Sequence, residues 1–159
     1  MDRWTLLASM PRPVNHAAGA TDGRRFWIFG GRGGDNVVSN GYDTVQVYDS
    51  VTATWATSFG SIAPLPQARG GMGRAIYLND EFYVMGGETA TGAGATAANV
   101  YARVDVYNPA TNTWRRTRDM GVARHGIYPV EDEGRIYVAC GGDKVAASKT
   151  PVMEILDLV

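Results

Sequence analysis

Few residues in this chain have the type and spacing to do chemistry. Two histidines, His16 and His125, and one cysteine, Cys140, make no convincing zinc site, which in its structural form takes four protein ligands. Asp35, Asn36 and Asp43 offer oxygen ligands without the spacing of an EF-hand calcium loop. The run Gly92-Ala93-Gly94-Ala95-Thr96-Ala97 satisfies a loose Gly-x-Gly-x-x-Ala pattern, but no strand precedes it and no helix follows. It therefore reads as a flexible loop rather than a dinucleotide cradle. No metal and no cofactor is implied. What remains is arginine, 13 residues against 2 lysines. A guanidinium is a fixed fork of donors suited to carboxylates and other anions. The available chemistry is anion recognition rather than bond-making.

The elements that position these groups come from an internal repeat. Glycine pairs fall at Gly30-Gly31, Gly86-Gly87 and Gly141-Gly142, spaced by 56 and 55 residues. Each ends a β-type run: Phe26-Trp27-Ile28-Phe29, Phe82-Tyr83-Val84-Met85 and Ile136-Tyr137-Val138-Ala139-Cys140. Turn signals precede the runs at Thr21-Asp22-Gly23, Leu78-Asn79-Asp80 and Asp132-Glu133-Gly134. A variable loop and a second strand follow: Val45-Gln46-Val47-Tyr48-Asp49, Val104-Asp105-Val106-Tyr107-Asn108 and Met153-Glu154-Ile155-Leu156-Asp157. In two repeats a turn then leads to a tryptophan at fixed spacing, Tyr48 to Trp55 and Tyr107 to Trp114. Cys140, at a strand end, reads as a small core residue.

Composition narrows the class. With 45% hydrophobic and 10% aromatic residues the chain can build a core. A net charge of -1 gives no general pull towards nucleic acid or anionic lipid, so neither is expected as a partner. Residues 1–7 have no apolar h-region, and no apolar run reaches membrane-spanning length. A single cysteine allows no intrachain disulfide, which points to a reducing compartment and a cytoplasmic location. The arginine bias fits a GC-rich bacterial genome.

The order strand, Gly-Gly, loop, Val-x-Val-Tyr-Asp, turn, Trp resembles the Kelch motif, and the resemblance covers nearly the whole chain. It implies an all-β fold, a Kelch-type β-propeller with three four-stranded blades per chain. The repeats fall at approximately 8–58, 59–117 and 118–159. The third departs from the pattern, with Leu156 in the tyrosine place and no tryptophan after it. Kelch propellers commonly bind proteins or peptides; some are enzymes, such as copper oxidases and sialic acid mutarotases.

Naming the strands of a blade a to d from the centre outwards, the chain opens on a d-like segment within residues 3–7, Trp4-Thr5-Leu6-Leu7. It ends after the third c strand. The N-terminal strand is thus expected to close the last blade. Three blades are too few for a ring, since propellers carry four to eight. Two chains would give six blades, so a homodimer completing a six-bladed propeller is expected. Met1 and the whole number of strands favour a complete protein over a piece of one.

The b–c and d–a loops are long and emerge on one face, the usual place for a binding site on a rigid scaffold. Arg12, Arg32, Arg69, Arg103, Arg118, Arg124, Lys144 and Lys149 fall there, against Asp35, Asp43, Glu88, Asp119 and Asp143. The opposite face carries Asp22, Asp80, Glu81, Glu131, Asp132 and Glu133. Arg69 and Arg124 each precede strand a; Asn15 takes that place in the first repeat, and His16 and His125 follow at matching positions. The ligand-binding residues expected from this pattern are Arg12, Asn15, His16, Arg69, Arg124 and His125, with an acidic peptide or protein segment as partner. No catalytic residue is assigned. The competing reading is a small sugar-processing enzyme of the mutarotase-like type, with Glu88 as its acid, and the sparse carboxylates of the long-loop face weigh against it.

Overall fold

A computed structural model describes residues 1–34, 41–90 and 98–158. Thirteen strands are present among them and no helix. The calcium candidates Asp35 and Asn36 lie outside the described residues, as does the Gly92–Ala97 motif. No helix of the described residues is long and apolar enough to cross a membrane.

Two four-stranded antiparallel sheets form the first two blades. Blade 1 is β1 (Ala18–Thr21), β2 (Arg25–Phe29), β3 (Val45–Asp49) and β4 (Thr54–Thr57), hydrogen-bonded in that order. Blade 2 is β5 (Ile76–Leu78), β6 (Glu81–Met85), β9 (Val104–Asn108) and β10 (Thr113–Arg116). The loop between its second and third strands carries a hairpin, β7 (Glu88–Ala90) with β8 (Ala98–Val100), that the strand patterning did not announce. The third sheet holds three strands, β11 (Val130–Asp132), β12 (Arg135–Ala139) and β13 (Met153–Asp157). Residues 1–10 form no strand in the single chain, and Trp4 and Leu6 are fully exposed.

Local chemistry explains the repetition. The turn from third to fourth strand closes twice in the same way. Asp49 Oδ1 accepts from the Val51 and Thr52 amides, and Asn108 Oδ1 from those of Ala110 and Thr111. Such side-chain caps are why Asp and Asn open turns. The turns between first and second strands use left-handed pairs, Asn79-Asp80 and Glu133-Gly134, suited to two-residue hairpins.

Side chains alternate across each sheet, so each blade shows one face to each neighbour. Trp27, Phe29, Val45 and Val47 of blade 1 meet Phe82, Val84 and Tyr107 of blade 2 in one buried cluster. Ile76, Tyr83, Met85, Val104 and Val106 of blade 2 meet Ile136 and Val138 of blade 3 in a second. Trp114 lies between blades, 5.7 Å from Phe29 and 4.9 Å from Tyr107 by ring centres, and its indole nitrogen donates to Ala63 O at 3.1 Å. Trp55 repeats the arrangement at the outer side of blade 1, tilted against Tyr48 with ring centres 5.1 Å apart and donating to Ala8 O at 2.9 Å.

The third repeat is registered one residue earlier than its glycines suggest. Gly30-Gly31 and Gly86-Gly87 have φ of 61 and 98°, and 63 and 103°; the matching pair is Cys140-Gly141, at 57 and 95°. Cys140 is exposed, which corrects its reading as a core residue. The reason is steric. A Cβ at Gly30 would sit 2.6 Å from Arg69 O, on the loop entering the next blade, and one at Gly86 would strike Arg124 O. Among the described residues the exposed Cys140 side chain meets no such loop.

Candidate binding site at the inner rim

The inner strands β1, β5 and β11 stand side by side, and their leading ends are tied through backbone groups. Gly71 N donates to His16 O at 2.8 Å, and Gly126 N to Gly71 O at 2.5 Å. Just before these ends, each entering loop pairs with the residue that follows the left-handed pair of its own repeat: Asn15 with Arg32, Gly70 with Glu88, and His125 with Gly142. These pairings align Asn15 with Gly70 and His125, and His16 with Gly71 and Gly126. That corrects the expected match of His16 with His125. His16 holds φ of 54° at a place where the other repeats use glycine.

The rim therefore gathers one polar cluster from all three blades. Glu88, 2% exposed, accepts from Arg32 Nη1 at 2.9 Å and lies 3.4 Å from His125 Nδ1 through the same oxygen. Its other oxygen accepts from the Ala146 amide at 2.9 Å. His125 Nε2 contacts Lys144 O at 2.9 Å. Asn15 Oδ1 lies 2.7 Å from His16 Nδ1 and 3.4 Å from Arg32 Nε. One buried carboxylate of blade 2 thus clasps blade 1 through Arg32 and blade 3 through His125 and Ala146. Partial burial holds the His16 imidazole below its ordinary range; Arg32 and His125 add to this, and Glu88 opposes it.

Of the expected binding residues, Asn15, His16 and His125 converge here. Arg32 and Glu88, placed on the long-loop face but not among the binding residues, prove central to the cluster. The signal for them was their position, each directly after a glycine pair.

Arg69 and Arg124 are placed differently. Both are fully buried. Arg69 donates to the carbonyls of Gly86, Gln67 and Val84 at 2.8, 3.0 and 3.2 Å and pairs with Asp105 at 2.9 Å. Arg124 donates to Cys140 O and Val152 O at 3.1 and 2.7 Å and pairs with Glu154 at 2.6 Å. Their guanidinium groups point into their own blades, which corrects the expectation that they face a ligand. A donor fork surrounded by strand-end carbonyls and one carboxylate is a structural clamp. Arg12 packs on two aromatic rings, with its guanidinium carbon 4.5 Å from the ring centres of both Tyr42 and Phe59.

Pairing trims the positive charge of the long-loop face. Arg32 is spent on Glu88, Arg69 and Arg103 on Asp105, and Arg124 on Glu154. Lys144, Lys149 and Arg118 are exposed, and no salt bridge joins them among the described residues. Those residues include no cluster of three or more His, Cys, Asp or Glu able to hold a metal ion.

Comparison with known proteins places this geometry. The Kelch motif family model matches residues 72–121. Kelch-like protein terF of Aspergillus terreus is 35% identical over 95% of this chain, and Kelch-like protein 25 of Xenopus tropicalis 36% identical over 67% of it. The chain spans 31% and 17% of these two relatives' lengths. They come from a fungus and a frog, so the arginine bias carries no statement of bacterial origin. Among solved structures, that titled "Structure of YjhT" matches 87% of this chain at a TM-score of 0.68 and 23% identity, over 37% of its own length, a likeness of fold. Three left-handed pairs closing equivalent strands, a repeated Tyr–Trp contact and these matches agree: the chain belongs to the Kelch-repeat β-propeller family.

Proposed function

We propose that this chain is a non-catalytic interaction scaffold that takes an anionic peptide or protein segment on its long-loop face, at the inner rim. The observation that carries the reading is the convergence of Asn15, His16 and His125 at one rim, beside the exposed Lys144. The relatives named as Kelch-like proteins agree with a binding role. Asn15 and His16 are exposed, whereas the carboxylate that would repel an anion is buried and engaged through both oxygens. The same engagement weighs against a sugar-processing enzyme, since a general acid must be free to reach its substrate.

The test is fluorescence anisotropy with labelled acidic and basic peptides of equal length. The acidic peptide should bind more tightly. The pair Asn15→Ala and His16→Ala, combined with Lys144→Glu, should weaken it by about tenfold or more, the scale of one charge-assisted hydrogen bond. Equal binding of both peptides, or no change in the triple variant, would overturn the reading.

A further inference from the structure

The space between the outer strands of neighbouring blades is used differently at the two junctions. Between blades 2 and 3, Arg115 of β10 lies opposite Val106 across the ladder, on the face that packs towards blade 3, and pairs with Glu81 of β6. The equivalent residues of blade 1 are Ala56 for Arg115, Val47 for Val106 and Arg25 for Glu81. The long side chain is cut to a methyl group, and the charge it would meet is reversed. A groove of about 370 Å³ stands there, between the outer part of blade 1 and the β9–β10 turn of blade 2. All its lining residues fall between Arg25 and Asn112 in the chain.

The walls are fixed. Trp27, Val47 and Tyr107 are the buried lining residues. On the blade 2 side, Asn112 Oδ1 accepts from the Ala63 amide at 2.7 Å and the Tyr107 hydroxyl at 2.8 Å, and its Nδ2 donates to Ser61 O at 2.7 Å. On the blade 1 side, the Arg25 guanidinium carbon lies 5.0 Å from the Trp27 ring centre, and Nε and Nη2 each stand 2.8 Å from Asp22 Oδ2. The acids here are already engaged. Asp22 accepts from the Arg24 and Arg25 amides through one oxygen and from Arg25 and the Trp27 indole through the other. Asp49 accepts from the Val51 and Thr52 amides and from Arg24 Nη2. What the groove still offers is donors: Arg25 Nη1 and the Ser61 hydroxyl, neither with a partner among the described residues, and the second amide hydrogen of Asn112.

We infer that this groove binds a small carboxylate with an apolar body, the body taking the place that Arg115 fills at the next junction and the carboxylate meeting Arg25. The volume suits a small molecule. The body would lie against Val47 and the faces of Trp27 and Tyr107, as ligand bodies do in mixed pockets. A guanidinium with a free nitrogen, beside an amide and a hydroxyl, is a donor set for a carboxylate. A cation would meet Arg25 unfavourably, and a neutral isostere gives up the charge-assisted hydrogen bond. The groove opens beside the short turns carrying Asp22 and Asn112, on the opposite face from the rim cluster, so it stands independently of the rim's proposed role.

The test is a titration of the nitrogen-15-labelled chain with benzoate, its neutral isostere benzamide and the cation benzylammonium, read by NMR. Benzoate should shift the Ala56 amide, the Trp27 indole and the Asn112 side-chain signals. Its dissociation constant should be at least about tenfold lower than those of the other two probes. Ala56→Leu, at an exposed position, fills the groove and should abolish these shifts. Arg25→Met should bring benzoate to the level of benzamide; if that variant fails to fold, Ala56→Leu decides. The triple rim variant, Asn15→Ala with His16→Ala and Lys144→Glu, should bind benzoate as the parent does, which separates this site from the rim. Benzamide or benzylammonium binding as tightly as benzoate, no groove shift at millimolar benzoate, shifts that survive Ala56→Leu, or binding lost in the rim variant would each overturn the inference.

Discussion

The guanidinium of Arg69 and the carboxylate of Asp105 lie 2.9 Å apart with neither side chain exposed to solvent. Arg124 and Glu154 form the same pair in the third repeat. In the first repeat Val14 replaces the arginine and a neutral Gln46 replaces the acid. Gln46 binds both backbone groups of Arg12, at 2.8 and 3.0 Å. The charge on the third strand is thus matched, repeat by repeat, to the residue that enters the blade. An unpaired buried charge is among the costliest defects a core can carry.

Asp105→Asn should consequently be severe. It strands the Arg69 guanidinium, which burial already disfavours and Asp105 chiefly sustains. A loss of about 3–5 kcal/mol is expected in urea unfolding. Replacing both partners, as Arg69→Met with Asp105→Leu, should recover a large part of it. A single variant as stable as the parent would show that the clamp does not carry its charge in the folded state.

Glu88→Gln should loosen the junction of the three blades. It keeps the shape of the side chain but removes the charge that faces Arg32 and His125. A charge-assisted hydrogen bond contributes about 1.5–3 kcal/mol, so a loss of that order is expected in thermal or urea unfolding. Faster amide exchange of Ala146, whose N–H is held by this carboxylate, would locate the effect.

Trp114→Ala removes the ring wedged between blades 1 and 2. Because the side chain is only half-buried, about 3 kcal/mol is expected, the lower end for aromatic truncation. Unchanged unfolding would contradict its role as the seal of that interface.

His16 should titrate below the ordinary histidine range, with burial the main cause and the Arg32 charge the second. Its neutral form is favoured in the folded chain, so the unfolded chain binds more protons. Stability from this residue is complete above the unfolded value of 6.5 and declines as pH falls through that value towards the lower folded one. Arg32→Ala should raise the NMR midpoint and Glu88→Gln should lower it further. Opposite movements would mean that the cluster is not assembled in solution.

The sequence alone sufficed for the β-type runs, the turns and the repeat. These are local properties: Asp49 and Asn108 cap turns within three residues of themselves, and alternating Val, Tyr and Trp follow the pleat whatever lies beyond. It also led to Asn15, His16 and His125, because each stands at the end of a loop entering a blade, although His16 and His125 are not equivalent. It could not tell which way an arginine points. Arg69 and Arg124 carry the right charge at the right loop for a ligand, yet tertiary packing surrounds each with strand-end carbonyls and a carboxylate from a strand 30 or more residues away. It placed the third glycine pair one residue late, because what forbids a side chain at Gly30 and Gly86 is the loop entering the next blade, not their own flanks. Glu88 likewise became a clasp only when three blades brought Arg32, His125 and Ala146 to one point, a meeting of residues up to 114 positions apart that no local pattern records.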